Sequence, residues 1–82
     1  MKVRILYFAA VRDLTGRDEE IADLPPSVRD VGSLRAWLEV SRPELAGRLA
    51  PVRFARNEAF AANDEPLTDG DTIALIPPVA GG

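Results

Sequence analysis

The sequence predicts an α+β domain in which one mixed β-sheet packs on one main helix. Three observations predict this fold. Residues 2–9 alternate between two faces, as in a strand with one buried side. A stripe of apolar residues with helical spacing follows Asp30, and strand-like runs recur after residue 51. Two strands, a helix and further strands in so short a chain favour a single sheet wrapped over the helix, which is the β-grasp plan.

The first part of the chain is typical of a hairpin with a short helical connection. In the first strand, one face holds Val3, Ile5 and Tyr7, and the other holds Arg4, Leu6 and Phe8. We expect a helical turn over residues 10–15 that ends at Gly16, because glycine readily adopts the left-handed conformation that closes a helix. A second strand over residues 19–24 then completes the hairpin.

The main helix is predicted to begin after Asp30, whose side chain is a favoured N-cap. Its buried stripe consists of Val31, Leu34 and Leu38. Trp37 flanks this stripe and is expected to pack with it. Pro43 either ends the helix or begins a short one in which Leu45 and Leu49 face inward. Three strand-like runs follow, "VRFAR", "AFAA" and "TIALI".

The order of the elements also predicts where the chain ends in the fold. The helix is the crossover between the two halves of the sheet, so the first and last strands should lie side by side and parallel. The end of the chain then leaves from the centre of the sheet. We therefore predict one β-grasp domain over residues 1–82, with a flexible C-terminal tail over residues 77–82.

The composition excludes several classes of function. A chain of 82 residues that is 46% hydrophobic suits one small globular domain. The absence of cysteine and histidine removes thiol nucleophiles, imidazole bases and the usual zinc ligands, so we expect no metal site. A net charge of -3 without a basic stripe argues against nucleic-acid binding. The first ten residues are unsuited to a signal peptide or membrane span, so we expect a soluble, cytoplasmic protein without a membrane partner.

The C-terminal residues are unusual for a structural segment. Gly81 and Gly82 contribute no side chain to a core and lose more backbone entropy on ordering than other residues. A structural role for them is therefore weak. Pro77 and Pro78 have two interpretations, which are compatible: they end the last strand, or they stiffen the base of the tail in an extended form.

Alternation along the strands also predicts an exposed apolar patch. If Ile73 and Leu75 face the helix, Phe8 and Ile76 face outward, and Phe60 on the preceding strand joins them. Contiguous exposed apolar area generally marks an interface with another protein. The alternative is that one or more of these side chains belongs to the core or is covered by a loop.

Three separated motifs, "FAAVRDLTG", "PLTDGD" and "PPVAGG", resemble the small-subunit family of molybdopterin synthase. The resemblance covers essentially the whole chain. It implies a ubiquitin-like β-grasp protein that carries sulfur as a thiocarboxylate on Gly82, for molybdenum cofactor biosynthesis. It also implies that this chain binds no cofactor, because a partner adenylating enzyme uses ATP to activate the terminus. The large synthase subunit is then expected to contact the patch of Phe8, Phe60 and Ile76 and to receive the tail, in a heterotetramer of two small and two large subunits.

Other interpretations of the motifs and of the function stay open. Asp69 and Gly70 favour a tight turn, and Arg12 and Asp13 favour a local ion pair or cap over catalysis. One alternative function is that of a β-grasp sulfur carrier for another pathway, such as tRNA thiolation, thiamine synthesis or cysteine synthesis, or of a ubiquitin-like protein modifier. Another is that of a non-catalytic β-grasp interaction module.

Overall fold

The computed structural model describes residues 1–78. In chain order, their elements are β1 (Lys2–Tyr7), α1 (Ala9–Thr15), β2 (Glu19–Asp23), α2 (Val31–Ser41), a 3-10 helix (Pro43–Leu45), β3 (Arg53–Arg56), β4 (Ala59–Phe60) and β5 (Thr72–Ile76). Within this described part of the chain, no helix is long and apolar enough to cross a membrane.

The strands form one mixed sheet in the order β2, β1, β5, β3, β4. β1 and β5 run parallel, with Ile5 beside Ile73 and Tyr7 beside Leu75. The other neighbouring strands are antiparallel. β5 therefore lies in the middle of the sheet, with hydrogen-bonded strands on both sides. This arrangement confirms the predicted β-grasp plan and the parallel pairing of the first and last strands.

The core lies between one face of the sheet and α2. The sheet contributes side chains that are at most 2% exposed: Val3, Ile5, Tyr7, Phe54, Ile73 and Leu75. The helical side contributes fully buried side chains: Val31, Leu34, Leu38, Leu45 and Leu49. Trp37 packs against this cluster while partly exposed. Since burial of one large aliphatic side chain is worth about 1.5–3 kcal/mol, these residues set the orientation of the sheet, and the predicted faces are confirmed.

Both ends of α2 follow from local side-chain chemistry. The Asp30 carboxylate accepts a hydrogen bond from the Ser33 N–H at 2.8 Å, and the Ser33 hydroxyl in turn accepts one from the Asp30 N–H. The hydrogen bonds from Ser33 lower the pKa of Asp30. At the other end, Pro43 lacks an N–H and begins the 3-10 helix. Pro43 therefore begins a short helix just after α2 ends at Ser41; that helix ends at Leu45, so Leu49 is buried as predicted but lies beyond it.

Several boundaries and contacts refine the predictions. α1 ends at Gly16, which has a φ of 74° and donates its N–H to the Arg12 carbonyl, as predicted. The Nε of Arg12 lies 3.9 Å from the Oδ1 of Asp18. Arg12 does not pair with Asp13, because adjacent helical residues do not face each other. Gly70 has a φ of 90°, and the Asp69 carboxylate accepts from the Lys2 N–H, which confirms the turn. The run "AFAA" is a strand only over Ala59–Phe60.

A buried polar cluster joins β1, β2 and the end of α2. The Tyr7 hydroxyl and both the Nε and Nη2 groups of Arg42 donate to the Glu20 carboxylate. The Glu20 side chain is 7% exposed, although the sequence places it in a charged run. The hydrogen bonds from Arg42 lower the pKa of Glu20 against the opposing effect of burial. Burial and the contact with Glu20 raise the pKa of Tyr7 well above its usual value.

We expect Glu20 to contribute to the pH dependence of stability. Its pKa is lower in the folded than in the unfolded protein, so its contribution is present above the unfolded pKa of about 4.3 and is lost as the pH falls through the folded pKa. Glu20→Gln should lower the free energy of unfolding at neutral pH, because it removes the negative charge that accepts hydrogen bonds from Arg42. The loss should be limited to roughly 1 kcal/mol, since the amide oxygen still accepts one hydrogen bond. Thermal denaturation between neutral and acidic pH measures both effects.

The control for this experiment is Glu44→Gln, which removes an exposed carboxylate on the 3-10 helix. The control should lose stability on acidification as the wild-type protein does. The Glu20→Gln variant should lose less. Equal losses in all three proteins would show that Glu20 is not one of the groups responsible.

Candidate functional site

The exposed face of the sheet contains an apolar groove that runs along β5 from Thr72 to Ile76. The groove has a volume of about 300 Å³ and is lined by residues of β1, β3, β4, β5 and the intervening turns: Leu6, Phe8, Ala55, Glu58, Phe60, Thr72, Ala74 and Ile76. Ala55 and Ala74 lie opposite each other in the pairing of β3 with β5. Because these two side chains are small, they form a low floor between the larger groups.

The large side chains at the rim are those that alternation predicted. Phe8 is 45% exposed and Phe60 is 55% exposed, while Ile76 is half-buried between the strands. The structure brings all three to one groove, on the face opposite the core. Placement of Phe8 or Phe60 in the core is therefore wrong. Their contact with a partner protein stays a prediction.

Phe60 makes a cation–π contact with an arginine side chain. The Arg53 guanidinium lies over the aromatic ring with its central carbon 3.6 Å from the ring centroid. Arg53 is on β3, directly opposite Ile76 on β5. Sequence reasoning missed this stack, because the contact depends on the pairing of β3 with β4.

The turn between β3 and β4 places Glu58 at the groove. Asn57 and Glu58 have φ values of 50° and 73°, so both lie in the left-handed region used by two-residue hairpin turns. The Asn57 side chain is fixed at both ends: its Nδ2 donates to Asp71 at 2.9 Å, and its Oδ1 accepts from the Thr72 N–H at 2.9 Å. The turn is therefore tied to the start of β5, and the backbone of Glu58 has a defined position.

The Asp71 carboxylate holds this turn in place through hydrogen bonds. Burial would raise the pKa of its carboxyl group, but hydrogen bonds from Arg56, Asn57 and the Thr68 N–H outweigh burial and lower that pKa. These hydrogen bonds of the carboxylate hold the turn between β3 and β4 against the start of β5. The carboxylate supports the groove without lining it.

The base of the tail lies against a second groove. Pro77 and Pro78 follow the last residue of β5, which agrees with their predicted role in ending the strand. They line a groove of about 330 Å³ with residues of α1 and of the segment before β3: Ala10, Val11, Leu14, Gly47, Arg48, Pro51 and Val52. Gly81 and Gly82, the predicted tail residues, lie outside the described residues.

The side chains near the grooves offer little acid, base or nucleophilic chemistry. The sequence has no cysteine or histidine, and residues 1–78 contain no group of three or more side chains that could hold a metal ion. Among the described residues, Glu58 and Arg48 are the ionisable side chains that line the two grooves. The groove beside β5 is exposed and mostly apolar, which is typical of a surface that binds another protein.

The central position of β5 and the exposed groove at its end define the class of protein. A mixed sheet of this order, wrapped on one main helix and with the end of the chain leaving beside an apolar surface, is a ubiquitin-like β-grasp domain. The chain belongs to the ThiS family, whose model matches residues 5–82.

Two curated relatives extend over the whole chain. The molybdopterin synthase sulfur carrier subunit of Escherichia coli (strain K12) is 39% identical, with 98% of this chain and 99% of that protein covered. The protein of the same name from Mycobacterium tuberculosis is 40% identical, with 100% and 99% covered. The resemblance found in the three motifs is thereby confirmed.

Solved structures agree with the fold. SAMP1 from Haloferax volcanii has a TM-score of 0.86 and 27% identity, with all of both chains covered. A chain of the protein-protein complex of subunits 1 and 2 of molybdopterin-converting factor from Helicobacter pylori has a TM-score of 0.71 and 29% identity, again with all of both chains covered. The second structure is a complex of two subunits.

Proposed function

We propose that this chain is the sulfur carrier subunit of molybdopterin synthase and that Gly82 carries the sulfur as a thiocarboxylate. One observation carries the proposal: the central strand of a ThiS-family β-grasp domain ends beside an exposed apolar groove, and the sequence after Pro78 is Val-Ala-Gly-Gly. The groove offers a docking surface that reaches the last residue of β5, Ile76. The curated relatives of the same length bear this name.

The chemistry of the terminus requires a partner. A free α-carboxylate is ionised at neutral pH and is a poor electrophile, since its pKa is about 3.5. In the proposed reaction, an adenylating enzyme joins the carboxylate to AMP from ATP with release of pyrophosphate. A sulfur nucleophile then displaces AMP and leaves one sulfur atom on the carbonyl carbon. The ATP is bound by the adenylating enzyme, and this chain holds no cofactor of its own.

The tail is suited to entering the active sites of two enzymes in turn. Residues 77–82 fully extended reach about 20 Å, so the body of the domain can remain outside while the terminus reacts. Because the two terminal glycines have no side chains, they can pass through a narrow channel. Pro77 and Pro78 would restrict the base of the tail and lower the entropy lost on insertion.

The large subunit supplies the site of sulfur transfer in this proposal. There the thiocarboxylate sulfur attacks a carbon of the cyclic pyranopterin monophosphate precursor, and the new carbon–sulfur bond replaces a carbon–oxygen bond. Water then hydrolyses the bond between that sulfur and the carbonyl carbon of Gly82, so the sulfur stays on the pterin and Gly82 returns to a carboxylate. The large subunit provides the acid, base and phosphate-binding groups. A dithiolene product contains two sulfur atoms, so two charged carriers act for each product. A heterotetramer of two small and two large subunits satisfies this stoichiometry, and we place it in the cytoplasm.

Intact-mass analysis tests the proposal directly. After incubation with the adenylating enzyme, ATP and a sulfur source, we expect the mass of this chain to change by the replacement of one oxygen with one sulfur. Fragmentation should place the change at Gly82. The control omits ATP and should leave the mass unchanged. An unchanged mass in a mixture that sulfurates a related carrier would count against the function.

A second candidate function is that of a protein modifier. The similarity to SAMP1, the small archaeal modifier protein 1 of Haloferax volcanii, favours it. In that case, the activated Gly82 would form an amide bond with a lysine of another protein. Lys2 is the single lysine of this chain, so polymers could be built only through Lys2 or the N-terminus. Incubation with ATP and a cell extract separates the two functions: a modifier yields conjugates of higher mass, whereas a carrier yields the thiocarboxylate.

A further inference from the structure

The groove beside β5 is flanked by two side chains of opposite charge. Arg53 lies at the carboxyl end of β5, opposite Ile76. Glu58 lies toward the amino end of the strand, where it lines a depression with Leu6, Asn57 and Thr72. Among residues 1–78, neither side chain forms an ion pair or a side-chain hydrogen bond. The groove therefore has a positive end near the tail and a negative end away from it.

The Arg53 charge is held in place before any partner binds, and the Glu58 charge extends from a fixed backbone position. The Arg53 guanidinium is stacked on Phe60, and Phe60 itself lines the groove. The backbone of Glu58 is in a turn that Asn57 ties to Asp71 and Thr72. The stacked Arg53 therefore loses little conformational freedom on binding, and two opposite charges at the two ends of the groove can select the orientation of a partner.

The residue type at position 58 is not explained by the turn. At a φ of 73°, a side chain with a Cβ is disfavoured, and glycine is the preferred second residue of such a hairpin turn. Residues with backbone strain of this kind cluster at functional sites. Glu58 lines the groove, so this surface is where a role of its side chain is to be sought.

We propose that Arg53 and Glu58 give the groove a polarity along β5 that admits its partner in one orientation. The partner segment places an apolar side chain between Phe8, Phe60 and Ile76, a carboxylate toward Arg53 and a lysine or arginine toward Glu58. This inference rests on the proposed function, and it commits to the large synthase subunit as the occupant. That orientation matters because the tail leaves the domain at the Arg53 end and has to meet the active site of the same partner.

The experiment measures binding of the large subunit to full-length variants at low and high ionic strength. Glu58→Gln and Arg53→Gln should each weaken binding about two- to fivefold at low salt, and less at high salt. Glu58→Arg should weaken it by roughly tenfold, because it places like charges together. The matched controls are Glu44→Gln and Arg29→Gln, which remove exposed charges away from the groove and should leave binding unchanged.

Glu58→Gly separates a binding role from a structural one. It relieves the left-handed backbone, so the Tm should rise by roughly 4 °C. It also removes the charge, so binding should weaken as in Glu58→Gln. A more stable variant with weaker binding supports the proposal, and a more stable variant with unchanged binding contradicts it.

Other outcomes identify what has failed. If the large subunit binds all variants equally and with the same salt dependence, the polarity is wrong while the proposed function stands. If the wild-type chain neither gains sulfur nor binds the large subunit, both are wrong. If sedimentation shows that the wild-type chain forms a dimer that Glu58→Arg dissociates, a second copy of this chain occupies the groove and the proposed occupant is wrong.

Discussion

Deletion of Gly82 is expected to reduce formation of the pterin product by orders of magnitude while leaving the fold unchanged. The deletion shortens the tail by about 3.5 Å and presents the carboxyl group of Gly81 in place of that of Gly82. A displacement of this size lies far outside the tolerance of a reacting geometry. The Tm should change little, because a terminal surface change alters the free energy of unfolding by less than about 0.5 kcal/mol.

Three quantities are measured on the deletion variant: the Tm, the affinity for the large subunit and the amount of product. Affinity should largely survive, since the groove of Phe8, Phe60 and Ile76 is intact. A companion variant with one alanine added after Gly82 should also lose product, whereas a simple interaction module would tolerate the addition. Near-normal product from either variant would show that Gly82 does not carry the sulfur. Loss of stability together with activity would instead indicate a tail that packs on its own domain.

Phe60→Arg is expected to weaken binding of the large subunit by roughly 2 kcal/mol or more. The substitution removes an aromatic side chain from the rim of the proposed docking groove and places a charge where it must be desolvated on binding. It also puts a second cation beside Arg53, whose guanidinium lies on the ring in the wild-type protein. The fold should remain intact, because Phe60 is 55% exposed.

Isothermal titration calorimetry and thermal denaturation check the two parts of this expectation. The matched control is Val40→Arg, which adds the same charge at an 82% exposed aliphatic residue on α2. The control should keep both its affinity and its Tm. If Phe60→Arg unfolds the protein, the assignment of Phe60 to a free surface is wrong. If it folds and binds normally, the groove is not the docking surface.

The features that the sequence predicted are those that depend on near neighbours in the chain. Alternation assigned Ile5 and Phe8 to opposite faces of the first predicted strand, because the side chains of a strand alternate with a period of two. Asp30 could be identified as a cap, since its partner Ser33 is three residues away. The groove followed from the same alternation once the order of the strands had been inferred.

The features that the sequence did not predict depend on contacts between distant elements. Glu20 is in a charged run and yet is buried. The pairing of β2 with β1 brings Tyr7 to its carboxylate, and the packing of the end of α2 brings Arg42 there. The stack of Arg53 on Phe60 likewise requires β3 and β4 to pair. Glu58 was unpredicted for a different reason, since the usual left-handed turn residue is glycine and nothing local indicates that a glutamate takes its place.

The central position of β5 has a mechanical consequence for a protein that works through its tail. Tension applied to the residues after Ile76 acts along the strand, which is bonded to β1 on one side and to β3 on the other. Such a load shears both rows of hydrogen bonds together, whereas a load on an edge strand could peel its bonds apart one after another. If the tail enters a deep enzyme site as proposed, the domain that carries it can resist the tension of insertion and withdrawal without unravelling.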